Sequence, residues 1–141
     1  MDNINMTDLI KLRDGLGKLI GKEKDIAEGA CKEGARQLLG RTIKRTPVNK
    51  GQLRRGWTTT KPVRTGTGVT IEMINNVNYA PYVEYGHRQQ PGRYVPAIGK
   101  RLKKSWVPGQ FMMTRSAEEV EKIMPQICDK HITKALKEAG L

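Results

Sequence analysis

Of the residues able to do chemistry, Cys128 and His131 have the most suggestive spacing, three apart and so on one side of a helix. A tetrahedral zinc site needs two further nitrogen or sulfur ligands, and the chain offers only Cys31 and His87 for them. A metal is therefore not expected. Cys31 and Cys128 both fall in helical patterns and read as reduced, packed thiols, with nothing to support a disulfide. His131 lies in an apolar helical stripe and His87 at the edge of a basic segment, and no serine has a histidine and acid arranged around it. "GKLIGKEKD" lacks Walker spacing and follows a helix rather than a strand. Without convergent polar groups, neither catalysis nor a cofactor is expected.

The stretch "YAPYVEYG" places Tyr79, Tyr82 and Tyr85 at i, i+3 and i+6, on one side of a short helical turn that stops at Gly86. Two readings stand for these rings. They form a satellite core under a sheet with hydroxyls in water, or they contact another subunit, where tyrosine is favoured.

Charge is the outstanding compositional feature: 26 basic side chains against 14 acidic ones, a formal +12. No acid occurs between Glu33 and Glu72 or between Glu84 and Glu118, and these gaps hold sixteen of the cations, Lys50 among them. Such a pattern faces an anionic partner. Lys100, Arg101, Lys103 and Lys104 beside Trp106, with Arg88 and Arg93 beside Tyr94, combine cations with stackable rings, as sites that track a nucleic-acid backbone do. A solvated loop, or a patch that docks an acidic protein, would use the same residues. No sequence-reading motif accompanies the charge, so base-specific readout is not expected.

The elements that must position these groups follow from periodicity. Thr7 and Asp8 can cap a helix carrying Leu9, Leu12, Leu16 and Leu19. After a break near Gly21, a longer helix sets Ile26, Ala30, Leu38, Leu39 and Ile43 against Lys22, Lys24, Glu28, Lys32 and Arg36, and ends before Pro47. "GWTTTKPVRT" and "GVTIEMINN" read as a β-hairpin in which Val69, Ile71 and Met73 face inward, and Pro62 marks an edge or a bulge. Residues 87–110 show no periodicity and read as a long basic loop, uncommon in a compact domain unless functional or awaiting a partner. A last helix carries Val120, Ile123, Ile127, His131 and Ala135 on one stripe. Ser116 and Glu119 have capping-box spacing, with an earlier start near Phe111 as the alternative, and Pro125 predicts a kink.

The expectation is one α+β domain spanning 1–141. N-terminal helices (8–46) and a kinked C-terminal helix (111–138) pack on a small antiparallel sheet containing the hairpin (57–76). A short helical turn (79–86) and the basic loop (87–110) lie between. No apolar run is long enough to span a membrane, and the start lacks a secretory pattern, so synthesis in the cytoplasm is expected.

"TPVNKGQLRRGW" (46–57), then a hairpin, then "VNYAPYVEYG" (77–86), then an apolar helix, together resemble the tail-completion or head-to-tail joining proteins of long-tailed bacteriophages. The matching positions are Thr46, Pro47, Gly51, Leu53, Arg54, Tyr79, Ala80, Glu84, Tyr85 and Gly86, within a resemblance covering roughly 25–137. It implies a non-enzymatic virion protein that forms a ring, sixfold by family analogy, where the tail tube meets the neck or capsid connector. Its partners would be further copies of itself, the tube or terminator, and the neck or connector proteins, with a transient DNA contact in the channel as a further option.

Overall fold

The structure is a computed structural model in which residues 6–48 and 51–141 are described; Lys50 and the first five residues lie outside the described residues. The elements in chain order are α1 (Met6–Leu19), α2 (Glu23–Arg45), α3 (Gln52–Arg55), β1 (Trp57–Thr59), β2 (Val63–Arg64), β3 (Val69–Thr70), β4 (Met73–Asn75), α4 (Ala80–Tyr85), β5 (Gly86–Arg88), β6 (Tyr94–Val95), β7 (Lys100–Arg101), β8 (Trp106–Pro108) and α5 (Met112–Glu138). The class is α+β, with helices at both ends and four two-stranded antiparallel ladders between them.

The helix boundaries have local causes. The break between α1 and α2 falls at Gly21, whose φ of 83° few other residues adopt. Thr7 lies inside α1 rather than at its cap. α5 runs on through Pro125, because one missing N–H removes a single bond from a 27-residue helix that packing holds.

The chain divides into two compact units, into both of which α2 and α5 contribute. The first comprises Met1–Gln37, Thr59–Glu72 and Val120–Leu141. Here α2 and α5 approach closely: a Cβ on Gly34 would stand 2.6 Å from Met124 Sδ, and one on Gly29 3.0 Å from His131 Nδ1. Ala30, Val120 and Ile127 are buried at this crossing. Ion pairs flank it, Glu33 with Lys130 and Arg64 with Asp25 and Glu28, and Glu33 also hydrogen-bonds His131 Nε2 at 2.7 Å. Cys31 and Cys128 are free, half-buried thiols, and burial pushes the Cys31 thiol up.

In the hairpin of this unit Val63 faces Thr70 and Arg64 faces Val69, closed by the Thr65 N–H bond to Gly68 O. Thr60 N–H donates to Glu72 O, so the first side spends one residue more than the second between Thr60 and Val63. That extra residue is taken up at Lys61-Pro62, where Pro62 has no N–H to give the ladder.

The second unit comprises Leu38–Thr58 and Met73–Glu119. Its core is Leu53, Trp57, Ala80 and Met112, surrounded by half-buried Leu39, Ile43, Met73, Val77, Val83 and Met113. β1 pairs with β4 beside it.

Within the segment expected to be a loop, residues 87–110, two short ladders build a β-arm. β5 pairs with β8, Gly86 facing Pro108, His87 facing Val107 and Arg88 facing Trp106. Farther out, β6 pairs with β7, Tyr94 facing Arg101 and Val95 facing Lys100. Between the tiers Gly92 N–H donates to Leu102 O (2.7 Å) and Leu102 N–H donates to Arg93 O (2.8 Å), two residues opposing one. With Gly92 at φ 82° this is a glycine β-bulge, and the Arg93 N–H bond to Gln90 O makes Gln90-Pro91-Gly92-Arg93 the turn that carries it. Cations and a proline-glycine pair hide the alternation that would reveal the strands.

Candidate assembly surface

The first family-like segment works as a clasp. Thr46 is buried and its hydroxyl does double duty, donating to Thr42 O and accepting from Trp57 Nε1, both at 2.7 Å. Arg54 donates to Thr46 O, and Asn75 Nδ2 donates to Leu53 O. Pro47, exposed, follows the end of α2, and Gly51 at φ 75° caps α3. The end of α2 is thereby tied to the start of the sheet.

The second segment anchors the arm and starts α5. Ala80, Val83 and Glu84 take the inner side of α4, which leaves Tyr79, Tyr82 and Tyr85 outside at 40, 59 and 58% exposure. The rings therefore do not build a satellite core; Tyr82 meets His87 and Tyr85 meets Phe111 edge-on.

Glu84 is buried with a full set of donors: Met113 N–H (3.0 Å), Thr114 N–H (2.8 Å) and the Thr114 hydroxyl (2.7 Å). These are first-turn groups of α5 that lack helical partners, and a carboxylate there also opposes the positive end of the helix dipole. Of the two expected starts the earlier one, near Phe111, is the one observed: α5 begins at Met112, and Ser116 lies within it rather than at a cap, donating to Met112 O. Glu119 serves Arg41 and Arg45 instead, with Arg45 also donating to Ser116. Those two guanidiniums, Arg45 first, hold the Glu119 carboxyl down at about 2.

Gly86 and Gly109 form the base of the arm. A Cβ on Gly86 would stand 2.5 Å from Val107 O, and one on Gly109 would stand 2.4 Å from Glu84 O. Gly86 also has φ 86° and ψ 172°, a region open to glycine alone.

Beyond that base the arm carries Arg88, Arg93, Lys100, Arg101, Lys103 and Lys104, all exposed, with no acid among them. Tyr94 and Trp106 are about half exposed and Ile98 is 60% exposed near the tip. The arm thus brings together all the basic and aromatic residues singled out beyond Gly86. The tyrosines of α4 stand at its root, while Thr46, Gly51, Leu53, Arg54, Ala80, Glu84 and Gly86 are structural supports.

Charge divides unevenly between the two units. The second holds thirteen cations against three acids and the first thirteen against eleven, so +10 of the formal +12 belongs to the second. Sequence spacing had no access to that division, because both units are assembled from separated pieces of chain.

The helix expected to carry the leucine stripe is present as α1, and Leu9, Leu12 and Leu16 on it are about half exposed. Leu16, Leu19, Ile20, Glu23, Ile26, Ile132, Ala135 and Leu136 line a groove of about 340 Å³ in the first unit. Among the described residues no cluster of three or more metal-ligating side chains occurs, and no helix is long and apolar enough to cross a membrane.

No curated protein and no solved structure gave a match to the chain. A family model described as "Bacteriophage HK97-gp10, putative tail-component" matches residues 10–86, a span that holds both supporting segments and stops at the root of the arm. The clasp at Thr46, the cap at Glu84 and the close-packed glycine at Gly86 all fall inside this match, which covers more than half of the chain: the protein belongs to the HK97-gp10-like family of bacteriophage tail components.

Proposed function

We propose that the protein is a structural ring subunit at the head-proximal end of a phage tail, joining the tube or terminator to the neck or connector, with no catalytic role. The observation that carries this reading is the arm: a built, braced hairpin with six exposed cations and three large exposed apolar or aromatic side chains. Such a surface suits a patch that meets a different patch on the next molecule, the contact that closes rings. The second supporting segment holds the arm by its root, at Gly86. Virion localisation after synthesis in the host cytoplasm follows from the same reading.

The test is to delete the gene in the phage and to image particles that carry a tagged copy. The reading expects tails and filled heads that fail to join, or tails of defective upper end, with the tag at the head-proximal end. Label at the distal tip, or normal particles without the protein, would refute it.

A second reading, non-specific DNA binding, is favoured by Tyr94 and Trp106 standing exposed among the same cations. It expects tight duplex binding by the isolated protein with a steep salt slope. That binding would be lost when Lys100, Arg101, Lys103 and Lys104 become glutamine.

A further inference from the structure

The apolar face of α1 has no cover within the described residues. Met6, Leu9, Ile10, Leu12 and Leu16 on the helix, and Ile20 just beyond it, are between 43 and 77% exposed. Their exposed area is on the order of 600 Å², the upper end of what soluble monomers leave open and close to one partner's share of a standard interface. The face runs into the 340 Å³ groove, where Glu23 sits among the apolar lining, and the adjoining pocket sets exposed Glu138 and Asp25 beside Lys22 and Lys134.

We propose that this groove receives the tip of the β-arm from a second copy of the chain. The tip has the matching composition: Val95-Pro96-Ala97-Ile98 is apolar and uncharged, and Arg93, Lys100 and Arg101 flank it. Seated in the groove, the apolar run covers Leu16, Ile20 and Ile132 while the cations meet Glu23 and Glu138. Arm against arm is disfavoured, because each carries six cations and no acid. The uneven charge points the same way: a contact that sets the +10 unit of one copy against the +2 unit of the next carries far less repulsion than one between two +10 units. The two halves of the contact differ, so each added copy leaves a free groove and a free arm, and association continues until a ring closes.

This inference rests on the self-assembling reading above, and its test is separate from particle imaging. Sedimentation of the isolated protein over a range of concentrations is compared for the wild type, Ile98→Asp in the arm and Leu16→Asp in the groove. Both sites are more than half exposed, so the variants fold, and circular dichroism checks this. The wild type is expected to associate, and each variant alone to need at least tenfold higher concentration. An equimolar mixture of the two variants is expected to form dimers and nothing larger, since it contains one intact pair of halves. A photo-crosslinker at position 98 is expected to label α1 or the end of α5 in another copy.

Wild-type protein that stays monomeric, a mixture no better than its components, or crosslinks from one arm to another would each overturn the proposal. So would a crosslinker at position 12 that labels α1 of another copy, the mark of symmetric helix pairing. If the protein is found at the head-proximal end of the tail while these results fail, the ring-subunit reading stands and the docking proposal falls.

Discussion

Replacing Glu84 isolates the device that starts α5. In Glu84→Ala the amides of Met113 and Thr114 lose their acceptor at a site that is 4% exposed, where water enters poorly. Leaving a buried amide unpaired costs about 1–3 kcal/mol, so two of them, with the hydroxyl of Thr114 free to turn elsewhere, place the loss at about 3 kcal/mol. Glu84→Gln keeps one acceptor oxygen but sets an NH₂ group against a donor, for a loss of about 1–2 kcal/mol. Urea unfolding followed by circular dichroism reads both. With a slope of about 2 kcal/mol per molar, the alanine variant should unfold about 1.5 M earlier and the glutamine variant less than 1 M earlier. An alanine variant within 0.2 M of the wild type, or a glutamine variant as damaged as the alanine one, would refute the cap.

Two further outcomes follow from the same unit. Gly86→Ala puts a Cβ 2.5 Å from Val107 O on a backbone conformation reserved for glycine, so β5 and β8 should part. Hydrogen exchange at the amides of the β5–β8 ladder should speed up by at least tenfold while α5 stays protected, and unchanged protection would refute the close approach. The stability that Glu119 contributes should be complete above about pH 4.5 and drain away as pH falls toward 2. The unfolded chain takes up the proton near 4.5, whereas the folded carboxylate resists to about 2. Acid unfolding of Glu119→Gln should lack this component, and matching acid profiles for variant and wild type would count against it.

How legible the site was depended on the range of its interactions. The positions Thr46, Gly51, Leu53, Glu84 and Gly86 stood out because family-like spacing marks them, yet spacing alone does not say what they hold. Thr46 binds a tryptophan eleven residues on, and Glu84 binds amides about thirty residues on. Ser116 and Glu119 show the opposite case. Their spacing suits a local cap, but Arg41 and Arg45, more than seventy residues earlier, claim both side chains. The arm carried one local signal, the Pro91-Gly92 pair, whose turn makes the bulge between its tiers. Strands of two and three residues rich in cations leave no alternation to read.

By itself the sequence determined the α+β class, the long helices, the hairpin around Gly66 and the concentration of cations after Gly86. Each of these rests on periodicity, turn chemistry or composition within a short window. Only the tertiary structure decided that the basic segment is a braced arm, that the tyrosines of α4 face solvent and that the stripe of α1 lies uncovered. Whether an apolar face is core or surface depends on what packs against it, and whether a strand exists depends on its partner. Both are facts about residues far apart in the chain.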